Sequence, residues 1–333
     1  MRRNLQVSIF SALMLFVGTV MAADNSTHYS FKTIDIPLPG ASATTALGIN
    51  PEGSIVGRYM IGLAVHGYML TNAGLTIIDD PDILPTASIS YASGVNPEGD
   101  VVGYYLDPPP GTDLSTLVQG QMGMDFDMTG DPPPSTRLRG YLRSSSGVFT
   151  PIDFPVSQVP SSYPSDGYIQ TMPIKITPTG MVVGCFHHLG NDYDHTMHGF
   201  VYRNGEYSFL PVEGSMHNSL TPDGRIIVGV WYADLTHYHS YIVVDGVYKT
   251  FDPPGAVISA AYDINPRGEI VGNYTDSSGV THGYLLNAAG FTTLDYPNAT
   301  MTQLRGINAR GDIVGFYFDA QGALHGLLAT KAK

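Results

Sequence analysis

Apolar and polar positions along this chain fall into a unit that recurs. An apolar pair ending in glycine, as in "GINPEGSIVGRY" (48–59), returns in "GVNPEGDVVGYY" (94–105) and "KITPTGMVVGCF" (175–186). It returns again in "SLTPDGRIIVGVW" (219–231), "DINPRGEIVGNY" (263–274) and "GINARGDIVGFY" (306–317). The glycine that closes the apolar pair occupies positions 57, 103, 184, 229, 272 and 315. Four of the five intervals are 43–46 residues, and the fifth, of 81, contains an insertion. After each block comes a second apolar run: "HGYML" (66–70), "RGYLR" (139–143), "HGFVY" (198–202), "HSYIV" (239–243), "HGYLL" (282–286) and "HGLLA" (325–329). A turn such as "TNAG" or "NAAG" then leads into a last run, as in "LTIIDDP", "FTPIDFP" and "FTTLDYP". Short apolar runs bounded by Asn, Pro and Gly read as strands, with the Asn and Pro presetting each turn and the Gly closing it.

Each unit therefore predicts four short strands, and four strands per 40–45 residues is the pattern of a propeller blade. The sixth unit stops after its third strand, while "YSFKTIDIP" (29–37) has the pattern of a fourth strand with no unit before it. The N-terminal strand is thus expected to complete the last blade and to remove the exposed edge an open array would carry. The expected fold class is all-β: one six-bladed β-propeller domain over 23–333, closed by 29–37, with an insertion at 106–138 in blade 2.

Composition agrees with this reading and narrows the function classes. Glycine (38), proline (24) and tyrosine (21) are abundant and charged residues make up 14%, which suits strands and turns better than long helices. Arg2 and Arg3 precede an apolar run from Val7 to Met21 that ends in "VMAA", the pattern of a secretory signal peptide over 1–22. A secreted or periplasmic protein is expected, with no membrane span in the mature chain. Losing 1–22 removes two arginines and no acid, taking the formal net charge from −13 to −15. Such an acidic chain argues against nucleic acid as a partner. Cys185 is alone, so no intramolecular disulfide contributes.

The motifs "GIN..G.IVG.Y", "HGF" or "HGY" and "TxLDxP" resemble those of the HAF-repeat family of exported bacterial proteins. The resemblance covers essentially the whole mature chain, with blade 4 the most divergent. It implies export and repeat architecture, and it brings no catalytic residues.

In a propeller the two tight turns of each blade share one face, and the irregular sequence lies on the other. That second face is elaborated in blades 2–4, by the insertion, by 156–172, by "HHLGNDYDHTMHG" (187–199) and by "ADLTHYH" (233–239). Binding residues concentrate on such loops. Five histidines, His66, His198, His239, His282 and His325, recur at the start of strand 3, with Arg139 in that place in the second unit. They read as structural, with Asp276 and Asp319 as candidate partners. His187, His188, His195 and His217 stand outside the repeat position and are the candidate ligands for zinc, copper or iron. Asp192 and Asp194 among them are the candidate catalytic bases. Lys175, Asp263, Tyr262 and Arg305 depart from the small or apolar pattern of strand 1 and are candidates for a binding face at the channel. The aromatic series Tyr59, Tyr105, Phe186, Trp231, Tyr274 and Tyr317 follows the repeat and reads as packing between blades. Two functions stay open: a binding or scaffold module for a protein or carbohydrate ligand outside the cytoplasm, and a metal-dependent hydrolase or lyase.

Overall fold

Six antiparallel sheets of four strands follow one another around an axis in the computed structural model, which describes residues 29–79, 89–107, 137–161, 169–188, 197–234 and 236–331. The chain opens with β1 (Tyr29–Ile34). Blade 1 comprises β2 (Ala41–Ile49), β3 (Ile55–Ile61), β4 (Ala64–Thr71) and β5 (Gly74–Ile78). Blade 2 comprises β6 (Ser90–Val95), β7 (Val101–Asp107), β8 (Arg137–Arg143) and β9 (Phe149–Pro151). Blade 3 is built from β10 (Gln170–Ile176), β11 (Val182–His187), β12 (Met197–Arg203) and β13 (Glu206–Phe209). Blade 4 follows with β14 (Ser215–Leu220), β15 (Ile226–Asp234), β16 (His237–Val244) and β17 (Val247–Phe251). Blade 5 holds β18 (Ala256–Ile264), β19 (Ile270–Asp276), β20 (Thr281–Asn287) and β21 (Gly290–Thr293). Blade 6 has β22 (Met301–Ile307), β23 (Ile313–Phe318) and β24 (Leu324–Lys331), with β1 as its outer strand. Among the described residues, no helix is long and apolar enough to cross a membrane.

The first strands β2, β6, β10, β14, β18 and β22 touch in turn and return to β2, so the ring is closed. The closing strand pairs all six of its residues with β24, from Tyr29 opposite Lys331 to Ile34 opposite Gly326. A second closure runs through the tight turns. Asn265 Nδ2 donates to the carbonyl of Asn308 (3.1 Å), Asn308 to that of Asn50 (3.2 Å) and Asn50 to that of Asn96 (3.0 Å). This relay joins blades 5, 6, 1 and 2. Thr177 and Thr221 take the asparagine's place in blades 3 and 4.

Every first strand carries a β-bulge close to its end, which leaves one residue out of the ladder: Leu47, Ser93, Ile174, Asn218, Tyr262 and Arg305. The cause lies in the repeated glycine of strand 2. A Cβ on Gly57 would stand 1.9 Å from the carbonyl oxygen of Thr45, and one on Gly103 would stand 1.9 Å from that of Tyr91. The same approach, at 1.9–2.1 Å, recurs at Gly184, Gly229, Gly272 and Gly315. Only glycine admits a carbonyl there. Tyr68 and Tyr141, from the "HGY" step, lie over these glycines and donate their hydroxyls to the carbonyls of Thr45 (3.1 Å) and Tyr91 (2.9 Å). Bulges re-aim side chains, and here all six are turned toward the axis.

Gly103→Ala is expected to lower stability by at least about 3 kcal/mol in chemical denaturation, because its methyl meets backbone and Tyr141 at once. An effect within the range of an ordinary surface substitution would contradict the bulge account. Removing 29–37 from the mature protein is expected to lower Tm by more than about 10 °C. A truncated protein that melts like the parent would show that β1 does not close the ring.

Candidate binding site on the propeller axis

The six bulge residues line one chamber on the axis, and Lys175 and Asp263 line it as well. The position after the bulge decides where this space lies. In blades 6, 1 and 2 it is Gly306, Gly48 and Gly94. A Cβ on Gly48 would stand 2.7 Å from the Ser93 carbonyl, and one on Gly94 would stand 2.6 Å from that of Ile174. Backbone packs on backbone along that half of the ring. In blades 3, 4 and 5 the same position holds Lys175, Ser219 and Asp263. These three form a polar bridge across blade 4. Lys175 Nζ donates to Asp263 Oδ2 at 2.6 Å, and Ser219 Oγ donates to Oδ1 at 2.5 Å. Backbone N–H groups of Ile264 (2.9 Å to Oδ1) and Ile307 (2.8 Å to Oδ2) complete the set around a carboxylate that is 1% exposed. Asp263 thus ties four blades together, and a buried charge with that many donors is stable where it is.

Tyr262 and Arg305, on adjacent blades, form the opposite corner. The Arg305 guanidinium carbon sits 3.6 Å from the centre of the Tyr262 ring, and its Nη2 donates to Gln303 Oε1 at 2.7 Å. The remaining wall is apolar or aromatic and includes Leu47, Ile174, Met216 and Tyr232. Ser93 Oγ is buried and makes no hydrogen bond among the described residues. The four expected binding residues are therefore brought together, inside the channel. The sequence reading missed Leu47, Ser93, Ile174 and Asn218. They carry the same signal as Tyr262 and Arg305, standing ten residues before the repeated glycine, or eleven in the longer blade 4.

The histidines divide differently. Four of the five repeat histidines pair through Nδ1 with the aspartate of the fourth-strand "DxP" run: His66 with Asp79 (2.7 Å), His239 with Asp252 (2.9 Å), His282 with Asp295 (2.7 Å) and His325 with Asp35 (2.9 Å). Asp276 and Asp319 are secondary partners, at 3.4 and 3.5 Å from the Nε2 atoms of His282 and His325. Blade 3 has no such aspartate, and the Leu210 carbonyl takes its place beside His198 at 3.3 Å. The aromatic series also does more than pack between blades. Tyr59, Phe186 and Tyr317 stack on the histidines of their own blades, at 5.2, 5.4 and 5.3 Å between ring centres. Contacts between blades come from the linkers, where Phe154 stacks on Phe186 and Tyr296 on Tyr317, both at 3.7 Å.

Asp192, Asp194 and His195 lie outside the described residues. His217 does not face the channel. Its ring packs where a Cβ on Gly199 of blade 3 would be, and its Nδ1 is hydrogen-bonded to the Tyr241 hydroxyl. His187 ends β11 with its Nε2 3.7 Å from Cys185 Sγ, and the ring of His188 stacks on His198 at 5.4 Å. Among the described residues, no three His, Cys, Asp or Glu side chains gather into a group that could hold a metal ion.

No protein-family model matches the chain, and no curated protein matches it. Solved structures do. TolB from Acinetobacter baumannii aligns at 12% identity over 88% of this chain and 64% of its own, with a TM-score of 0.49. An acylaminoacyl peptidase from Pyrococcus horikoshii aligns at 12% identity over 88% of this chain and 45% of its own, with a TM-score of 0.49. The Aleuria aurantia lectin, in complex with alpha-methyl-L-fucoside, aligns at 9% identity over 89% of this chain and 93% of its own, with a TM-score of 0.44. The chain thus spans less than two thirds of the TolB and peptidase chains.

The buried histidines set a pH response. Burial pushes His217 down to about 3. Burial, helped by the neighbouring His188 and His198, does the same to His187, and burial with His188 takes His198 to about 4. The folded state keeps these rings neutral while the unfolded chain takes up protons below about pH 6.5. Their stabilisation is therefore complete above pH about 6.5 and declines as pH falls toward about 3. His282 runs the other way. Burial lowers its pKa, but Asp295 and then Asp276 raise it by more, so its stabilisation is present at acid pH and lost as pH rises. Three groups outweigh one, so Tm is expected to fall by about 10 °C or more between pH 7 and pH 4.5. In His217→Gln the decline should be shallower. A flat profile, or a decline unchanged by that substitution, would contradict the assignment.

Proposed function

We propose that this chain is a binding propeller, acting outside the cytoplasm, that holds its ligand in the axial chamber and performs no chemistry on it. One observation carries this reading. The chamber is ringed by one side chain from every blade, and its only carboxylate among the described residues, Asp263, already accepts four hydrogen bonds. A carboxylate so engaged is poorly placed to take a proton from a substrate or to attack one, since a general base needs a lone pair directed at its target. The mixture of apolar wall, aromatic rings and a few placed polar groups is that of a ligand pocket. The partner is a protein or carbohydrate, engaged from the elaborated loops of blades 2–4. Export follows from the signal-like pattern of 1–22.

The test is titration calorimetry with short peptides and oligosaccharides against the parent and Leu47→Trp, whose indole fills the chamber from a half-buried position. A ligand bound by the parent and lost by the variant, with Tm unchanged, is the expected result. Turnover of an ester, lactone or peptide substrate that disappears in Asp263→Asn would overturn the reading.

A further inference from the structure

Resting on that reading, we infer that the group entering the chamber is a carboxylate carried on an apolar stem. The inference comes from which hydrogen-bonding capacity in the chamber is spent and which is not. Asp263, the acceptor, is saturated by Lys175, Ser219 and two backbone N–H groups. It has nothing to offer a ligand's donors. Asn218 commits its amide N–H to the carbonyl of Ala261 at 2.8 Å. Asn218 Oδ1 stays available as an acceptor, and two groups able to donate remain. Lys175 gives one of its three N–H bonds to Asp263 and makes no other hydrogen bond among the described residues. Ser93, 6% exposed, has a hydroxyl with no hydrogen bond among the described residues.

Both residues line the chamber, and they stand on adjoining backbones. Ser93 precedes Gly94, whose Cβ position would be 2.9 Å from the Lys175 Cα, so the two backbones meet at the junction of blades 2 and 3. A buried hydroxyl without a partner costs on the order of 1–3 kcal/mol. A ligand acceptor placed there recovers that cost. Beside an ammonium group and within low-polarity walls, a charged acceptor is favoured over a neutral one. Leu47 and Ile174 flank this corner in the bulge series, and Met216 lines the same chamber, so the part of the ligand behind its acceptor meets hydrocarbon. Sugar hydroxyls would meet few partners there. A carboxylate on an apolar stem fits both halves of the lining, as the C-terminal residue of a peptide would. A uronic acid presents the same carboxylate on a polar ring.

The experiment titrates the mature protein with N-acetyl-L-phenylalanine, N-acetyl-L-phenylalanine amide, D-glucuronate and D-glucose, following binding by calorimetry. The acid is expected to bind at least about 10-fold more tightly than its amide. Ser93→Ala should weaken the acid about 3- to 10-fold and Lys175→Met at least about 10-fold, with the amide unaffected by either. Ser93→Ala removes no hydrogen bond among the described residues, so it keeps the test meaningful if Lys175→Met fails to fold. Glucuronate binding more tightly than the phenylalanine acid would keep the carboxylate and overturn the apolar stem. Acid and amide binding equally, neither acid binding, or affinities untouched by both substitutions would overturn the inference. If the neutral ligands bind and Leu47→Trp removes them, the chamber stands and the carboxylate falls. If acid binding survives Leu47→Trp, the chamber itself is wrong.

Discussion

The contact between a strand 2 glycine and a strand 1 carbonyl is what the rest of this propeller depends on. It is made six times, at Gly57, Gly103, Gly184, Gly229, Gly272 and Gly315, with nearly the same separation. The carbonyl can occupy the Cβ position only where there is no Cβ, and the first strand bulges two residues later. The bulge bends the strand where six strands converge, and it lifts one side chain per blade out of the ladder. Blade geometry, ring closure and the chamber are thus consequences of one local steric exemption repeated at a fixed period.

The same device shows why the molecule is symmetric in fold and asymmetric in chemistry. The backbone needs the glycine of strand 2 in every blade, but the bulge residue and its successor are constrained only by the room at the axis. Blades 6, 1 and 2 use that room for backbone contact through Gly306, Gly48 and Gly94. Blades 3–5 place Lys175, Ser219 and Asp263 there, with Asp263 drawing donors from blades 3, 4 and 6 as well as from its own backbone. The asparagine relay is absent from the same region, where Thr177 and Thr221 replace it. Polar bracing at the axis thus stands on the side where the turn-to-turn relay is missing.

The architecture was legible because a propeller writes its period into the sequence. Turn residues, the "IVG" glycine and the "HGY" step all repeat, and the unmatched strand at 29–37 named its own partner. The site was legible only in part. Lys175, Asp263, Tyr262 and Arg305 stood out as charged or aromatic departures, whereas Leu47 and Ile174 looked like ordinary strand residues. A bulge leaves no mark in composition, so their place on the axis followed only from register. For the repeat histidines a structural role was legible and the main partners were not. The repeat series answers to Asp79, Asp252, Asp295 and Asp35, the "DxP" aspartates, which the sequence displays in plain view without showing that strand 4 lies beside strand 3 at that register. His217 is spent on Tyr241 in the seam between blades 3 and 4.

Selective methyl labelling of leucine, isoleucine and methionine tests most directly whether the ring of bulges forms a ligand chamber. Spectra of the mature protein are recorded during titration with N-acetyl-L-phenylalanine. The account predicts saturable shifts at the methyls of Leu47, Ile174 and Met216, three chamber residues on separate blades. Ile61 and Leu63, which are 37% and 49% exposed, serve as surface reporters and should not move. Shifts at those surface methyls with the chamber methyls unchanged would contradict it.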